Sequence, residues 1–194
     1  MVSPDRRMTV EFRCRPDESM LMVVNRPAGS VELQLQSDRD EFWRPQEVLW
    51  APDSTRLIVN GSASAYASFD FLLIDLSGAR VIRRDITADA HRDMFERFPP
   101  CRASGMELNE CMREPGYANM SAIAWTRGSS ALLVFAEVPC SSSFGGIMCQ
   151  VMGYEVHASN GLILDKITAR QMKTRWQKHM AWPMRVPEAP QYRN

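Results

Sequence analysis

The stretch Trp50-Ala51-Pro52-Asp53-Ser54-Thr55-Arg56-Leu57-Ile58-Val59 determines the fold. Its centre holds turn residues, because proline fixes its own φ and Asp or Ser side chains hydrogen-bond to nearby backbone. Aliphatic residues follow the turn, and a short apolar run that ends in Trp50 precedes it. Two apolar runs joined by such a turn predict a β-hairpin.

The same pattern occurs twice more in the chain. Residues 125–134 repeat it with Gly128 in the place of Asp53, and residues 14–23 repeat it with Cys14 in the place of the tryptophan. Both later copies continue with a strand, a glycine-containing turn, a second strand and an Ile-Thr-Ala ending. Such self-similarity is the signature of a repeat architecture.

A helix is predicted after each Ile-Thr-Ala ending. Thr87 and Thr168 are expected to act as N-caps, and prolines end both helices. Apolar side chains then recur at helical spacing and are expected to pack on the sheets. The two stripes are His91, Met94, Phe95 and Phe98 in the first helix and Ala169, Met172, Trp176 and Met180 in the second.

The Trp-x-Pro-Asp-Ser-x-x-Leu-x-Val pattern at 50–59, with its following strands, resembles a blade of a TolB-like or WD40-like β-propeller. The resemblance implies four-stranded units, and propellers usually close with four or more blades. Three partial units are too few, so we expect an incomplete β-propeller or two packed antiparallel sheets, mainly β with two helices. The expected single domain, 1–194, has units at about 10–40 (partial), 48–100 and 123–182.

Two segments interrupt the repeat and are expected to carry the function. The first is an insertion at 99–119, and the second is a lengthened hairpin loop at 138–152. Each contains two cysteines, which are the candidate disulfide pairs Cys101 with Cys111 and Cys140 with Cys149. Two local pairs favour an exported, periplasmic protein. The alternative is a cytoplasmic protein with five unpaired thiols.

No catalytic signature is present in the sequence. The serines at 141–143 lack a Gly-x-Ser-x-Gly elbow, and the three histidines lack metal-binding spacing. The sequence therefore predicts no catalytic residue, no metal and no cofactor.

Composition narrows the classes of partner. The 194 residues include 23 basic and 23 acidic side chains, and 45% are hydrophobic. This balance is typical of a globular protein. A zero formal net charge argues against nucleic acid as a partner, although the segment from Lys166 onward is basic. No run of about 18 apolar residues occurs, so no membrane span is predicted.

These observations lead to the hypothesis of a non-enzymatic protein-binding module. Its 138–152 loop would neutralise a partner enzyme, as bacterial immunity and inhibitor proteins do. Glu137 and Glu155 would offer charge pairing at the loop base. The residues expected to occlude the partner are Ser141, Ser142, Ser143 and Phe144.

Two alternatives come from other classes of protein. One is a hydrolase that uses Asp53, His157 and the serines of the blade loops. The other is a structural subunit that completes a propeller with another chain. Self-association through an uncovered strand edge is a related expectation.

Overall fold

The computed structural model describes residues 1–14, 20–35, 44–62, 69–78, 81–84, 86–98, 118–138 and 150–176. Eleven strands and two helices lie within these ranges. The strands are β1 (Thr9–Cys14), β2 (Met20–Arg26), β3 (Gly29–Leu35), β4 (Arg44–Trp50), β5 (Arg56–Ser62), β6 (Phe69–Asp75), β7 (Ile82–Arg84), β8 (Asn119–Thr126), β9 (Ala131–Glu137), β10 (Val151–His157) and β11 (Ile163–Thr168). The helices are α1 (Ala88–Arg97) and α2 (Ala169–Trp176).

The strands form three antiparallel sheets, each following the chain order. The first sheet is β1-β2-β3, the second is β4-β5-β6-β7 and the third is β8-β9-β10-β11. The prediction of a mainly β fold with two helices is therefore confirmed. The alternative of two packed sheets is replaced by three, because the partial first copy of the repeat builds a sheet of its own. The described strands form neither a closed barrel nor a closed propeller.

The predicted hairpin at 50–59 is confirmed, since Trp50 pairs with Leu57 across the β4–β5 turn. The third sheet repeats the arrangement, with Trp125 opposite Leu132. The hydrogen bond that links the hairpin turn to the residue after the third strand of each unit is also the same in the two sheets. The Leu76 N–H donates to the Thr55 carbonyl at 2.8 Å, and the Ala158 N–H donates to the Ser130 carbonyl at 2.9 Å.

The sheets stack face to face, with the second in the middle. Because side chains alternate along a strand, Leu57 and Val59 of β5 pack against the first sheet, whereas Ile58 between them packs toward the third. Helix α1 adds Met94 and Phe95 to the core between the second and third sheets. Both faces of the second sheet are therefore buried.

Helix α2 covers the outer face of the third sheet. Its Met172 is buried against Leu133 and Ile167, and Trp176 packs beside it. Gly153 makes this approach feasible, because a Cβ there would lie 2.8 Å from Met172 Cγ. Of the predicted stripes, the members that pack in the core are Met94, Phe95 and Phe98 in the first and Ala169, Met172 and Trp176 in the second. Met180 lies outside the described residues.

The two predicted helix caps differ. Thr168 and Gln171 form a reciprocal capping box, in which the Thr168 N–H donates to Gln171 Oε1 at 2.9 Å and the Gln171 N–H donates to Thr168 Oγ1 at 3.4 Å. Thr87 occupies the N-cap position of α1, but its side chain makes no capping hydrogen bond. Its φ and ψ are near-helical rather than extended, so the predicted capping by the Thr87 side chain is wrong.

Candidate binding site at the end of the third sheet

Strands β9 and β10 bring together the two ends of the segment 139–149. Glu137 pairs with Val151 in the antiparallel register, and the Val138 N–H donates to the Gln150 carbonyl at 2.9 Å. The ladder therefore continues to the base of the predicted loop. The loop residues Ser141, Ser142, Ser143 and Phe144 and the cysteines Cys101, Cys111, Cys140 and Cys149 lie outside the described residues, and their roles stay predictions.

Glu137 is the last residue of β9 and lies at this loop base. The alternation along β9 places it on the same face as Leu133 and Phe135, the face that α2 partly covers. Its side chain is partly buried, and burial raises the pKa of its carboxyl. No hydrogen bond or ion pair joins this carboxylate to another residue in the described part of the chain.

A half-buried carboxylate without a cation is costly, because it loses water without gaining a counter-charge. On this face, Asn119 and Ser121 of β8 lie opposite Glu137 and Phe135, and the apolar side chains of Ile123 and Phe135 are only partly covered. An aliphatic stem with a cationic head, as in Arg or Lys, fits both parts of this surface. The site can therefore receive a basic side chain.

The structure places Glu155 elsewhere. It lies in β10 opposite Leu133, four residues beyond Val151 and so about 13 Å further along the strand. Arg127 donates to its carboxylate through Nε at 3.0 Å and Nη2 at 2.6 Å, and Thr126 Oγ1 donates at 2.7 Å. The hydrogen bonds from Arg127, with that from Thr126, hold the pKa of Glu155 below its usual value.

The two glutamates predicted for one site are therefore not brought together. Glu137 lies at the loop base without a partner among the described residues, whereas Glu155 serves an internal ion pair. A contact between Glu155 and a partner protein stays a prediction.

The residues of the hydrolase alternative lie in two different turns. Asp53 accepts hydrogen bonds from the Thr55 N–H at 2.9 Å and from Thr55 Oγ1 at 2.7 Å. His157 Nδ1 lies 2.8 Å from Ser159 Oγ in the β10–β11 turn. Each side chain thus binds a hydroxyl of its own turn. In the described ranges no contact joins Asp53 to His157, so the acid and base of a triad are not assembled from them.

A buried charged cluster joins α1 to the third sheet, and the sequence reasoning missed it. Asp93 of α1 is 8% exposed and accepts hydrogen bonds from Tyr154 OH at 2.9 Å, from Arg97 Nε at 2.7 Å and from Lys166 Nζ. Burial raises the pKa of Asp93, but the bonds from Lys166, Arg97 and Tyr154 outweigh it and hold the pKa below its usual value.

Only one contact of this cluster could be predicted from the sequence. Asp93 and Arg97 have the i, i+4 spacing of a helical ion pair. Tyr154 and Lys166 are partners across β10 and β11, and only the register places them together. The cluster fixes the helix on the sheet.

The described ranges contain no group of three or more His, Cys, Asp and Glu side chains arranged to hold a metal ion. None of the helices described in the structure is long and apolar enough to cross a membrane. No protein-family model, no curated protein and no solved structure matches the chain.

Proposed function

We propose that this chain is a non-enzymatic protein-binding module that docks through its 138–152 loop. The observation that carries the proposal is the Glu137 carboxylate, which is half-buried at the loop base without a cation among the described residues. A partner that places an Arg or Lys there relieves the cost of the buried charge. Charged groups left unpaired in this way cluster at functional sites.

The strands that hold the two ends of the loop support the same proposal. The β9–β10 ladder runs up to the Val138–Gln150 bond, so the loop begins and ends on a rigid sheet. A loop held at both ends loses less conformational entropy on docking than a free segment does. A bridge between Cys140 and Cys149 in an exported, periplasmic protein would strengthen this effect.

The specific role that we propose is neutralisation of a partner enzyme, in the manner of an inhibitor or immunity protein. Phe144 and the serines at 141–143 enter the partner's cleft, and Glu137 binds a basic residue at its rim. Aromatic anchors surrounded by polar contacts are typical of such interfaces.

The test is a binding series on a captured partner. Tagged protein is used to capture partners from extracts of the source organism, and the partner is purified and titrated by calorimetry. We expect Glu137→Gln, Phe144→Ala and deletion of 141–146 each to weaken binding by tenfold or more. Glu96→Gln is the matched control, because Glu96 is exposed on α1 away from this face.

Stability measurements separate loss of the contact from loss of the fold. Burial raises the pKa of Glu137, so its ionised form disfavours the folded state, and stability is lost as pH rises from the usual value toward the raised one. Glu137→Gln should therefore be slightly more stable than the wild type at neutral pH while binding more weakly. Binding that survives both Glu137→Gln and the loop deletion would contradict the proposal.

A second candidate function is completion of a propeller-like ring with another chain. Three meander sheets stacked face to face favour blade-like packing of the TolB or WD40 kind. The outer face of the third sheet, with Ile123 and Phe135 partly covered, is where a further sheet would pack. Sedimentation that gives a monomer at all concentrations, together with a captured partner that contains no β-sheet repeat, would exclude it.

A further inference from the structure

Arg26 spans the first and second sheets. It is the last residue of β2, and its Nη1 donates to the carbonyl of Gly78 in the β6–β7 turn at 3.0 Å. Its remaining donor atoms, Nε and Nη2, are shielded from solvent and have no hydrogen-bond partner in the part of the chain that the structure describes. The side chain as a whole is only partly buried.

These two donors form a fork. In a planar guanidinium, the Nε–H and one Nη2–H point in the same direction, at the spacing of the two oxygens of a carboxylate or phosphate. The chain contains an occupied example, in which Arg127 directs Nε at 3.0 Å and Nη2 at 2.6 Å to one oxygen, Oε2, of the Glu155 carboxylate. Arg26 presents the same edge of its guanidinium, the one formed by Nε and Nη2.

No acceptor among the described residues serves this edge. The acid closest in sequence to Gly78, Asp75, is bound by the Ser77 N–H at 3.0 Å and Ser77 Oγ at 2.6 Å, and it also lies 3.8 Å from Arg84 Nη2. Buried donors of a charged group are normally satisfied by protein, water or a bound ion.

We propose that the Nε and Nη2 edge of Arg26 binds an oxyanion, a phosphate or carboxylate group, at the seam between the first and second sheets. Residues 27–28 of the β2–β3 turn and residues 77–78 of the β6–β7 turn are exposed on either side, and because the two donor atoms are shielded from solvent, the ligand reaches them by displacing one of these turns. The bond from Nη1 to Gly78 holds the guanidinium in place for the ligand. This inference does not depend on the proposed function of the 138–152 loop.

The test compares unfolding in different anions. Urea unfolding of the full chain is followed at constant ionic strength while sodium chloride is replaced by phosphate in one series and by acetate in another. At ten times the dissociation constant, binding to the folded state should lower the unfolding constant about elevenfold. We expect this saturable response in the wild type and its loss in Arg26→Met and Arg26→Lys.

Arg127→Met is the matched control, because its fork already holds Glu155 and its loss should leave the anion response intact. Arg26→Lys keeps the charge without the fork and serves if Arg26→Met fails to fold. A response to phosphate alone assigns a phosphate group, and responses to both anions assign oxyanions in general. The inference is overturned if the wild type shows no saturable response, or if Arg26→Lys retains it.

Discussion

The two faces of the second sheet are buried by different means. Toward the third sheet, the Asn60 amide donates to the Ala122 carbonyl at 2.8 Å and accepts from the Ala122 N–H at 3.0 Å. Trp125 Nε1 adds a bond to the Leu49 carbonyl at 3.1 Å, and Arg56 Nη2 adds one to the Ser129 carbonyl at 2.6 Å. Toward the first sheet the contact is mainly an apolar cluster that includes Val10, Met22 and Val24.

The polar contacts toward the third sheet follow from the strand that the second sheet covers there. β8 is an edge strand, and its register shifts between Ala122 and Ala124. Unpaired backbone groups at such an edge need partners. Asn60 supplies a donor and an acceptor for the two backbone groups of Ala122. At the equivalent position in the first copy of the repeat, the chain has Val24. The repeat thus gives apolar packing at both interfaces, and most of the described side-chain hydrogen bonds between sheets lie at the interface with the third sheet.

The largest effect should come from removing Asp93, which joins α1 to the third sheet. Asp93→Ala removes the hydrogen bonds that the buried carboxylate accepts from Tyr154, Arg97 and Lys166. Since Arg97 and Lys166 are 42% and 43% exposed and are not left as buried charges, we expect a cost of about 3 kcal/mol of unfolding free energy. Urea denaturation measures this loss. The control is Asp89→Ala, whose 3.2 Å ion pair with Arg92 is exposed and should contribute no more than about 1 kcal/mol.

The pH dependence gives the same prediction a second readout. Because the folded-state pKa of Asp93 is lowered, its stabilisation is present above the usual carboxyl pKa and is lost as pH falls through the lowered value. The difference between wild type and Asp93→Ala should therefore shrink below about pH 4. A difference that stays constant down to pH 2 would show that the ionised carboxylate is not responsible.

Asn60→Val should have the next largest effect. The variant gives the second sheet the residue that the first sheet has at this place, and it leaves both backbone groups of Ala122 without partners. We expect a cost of about 2–3 kcal/mol in urea denaturation. Asn25→Val is the control, since Asn25 bonds Thr9 Oγ1 and Ser30 Oγ outside the buried core. Equal costs for the two variants would mean that this amide does not specify the interface.

Much of the fold could be predicted because its signals are local. The turn at 52–55 and the alternation from Leu57 to Val59 depend on neighbouring residues, and so does the capping box at Thr168. The stacking of three sheets depends on contacts between distant strands. The sequence shows that Glu137 and Glu155 both lie near the loop, but only the register shows that β10 carries Glu155 away to Arg127.

The smallest predicted effect isolates one hydrogen bond by comparing two tryptophans at the same place in the repeat. Trp125 Nε1 donates to the Leu49 carbonyl, and the Arg56 guanidinium lies 5.6 Å from its ring centre. Trp50 Nε1, by contrast, is buried without a partner among the described residues. Replacement by Phe removes similar volume at both positions. Trp125→Phe should therefore cost about 1–2 kcal/mol more than Trp50→Phe.

Thermal and urea unfolding of both variants, with the double variant to test additivity, measure this difference. The two sites belong to different core clusters, so their effects should add. A cost for Trp50→Phe equal to that for Trp125→Phe would mean that volume alone determines both. The polar contribution to the interface with the third sheet would then come from Asn60 and from the Arg56 bond to Ser129, and the comparison between the two faces would rest on those two side chains.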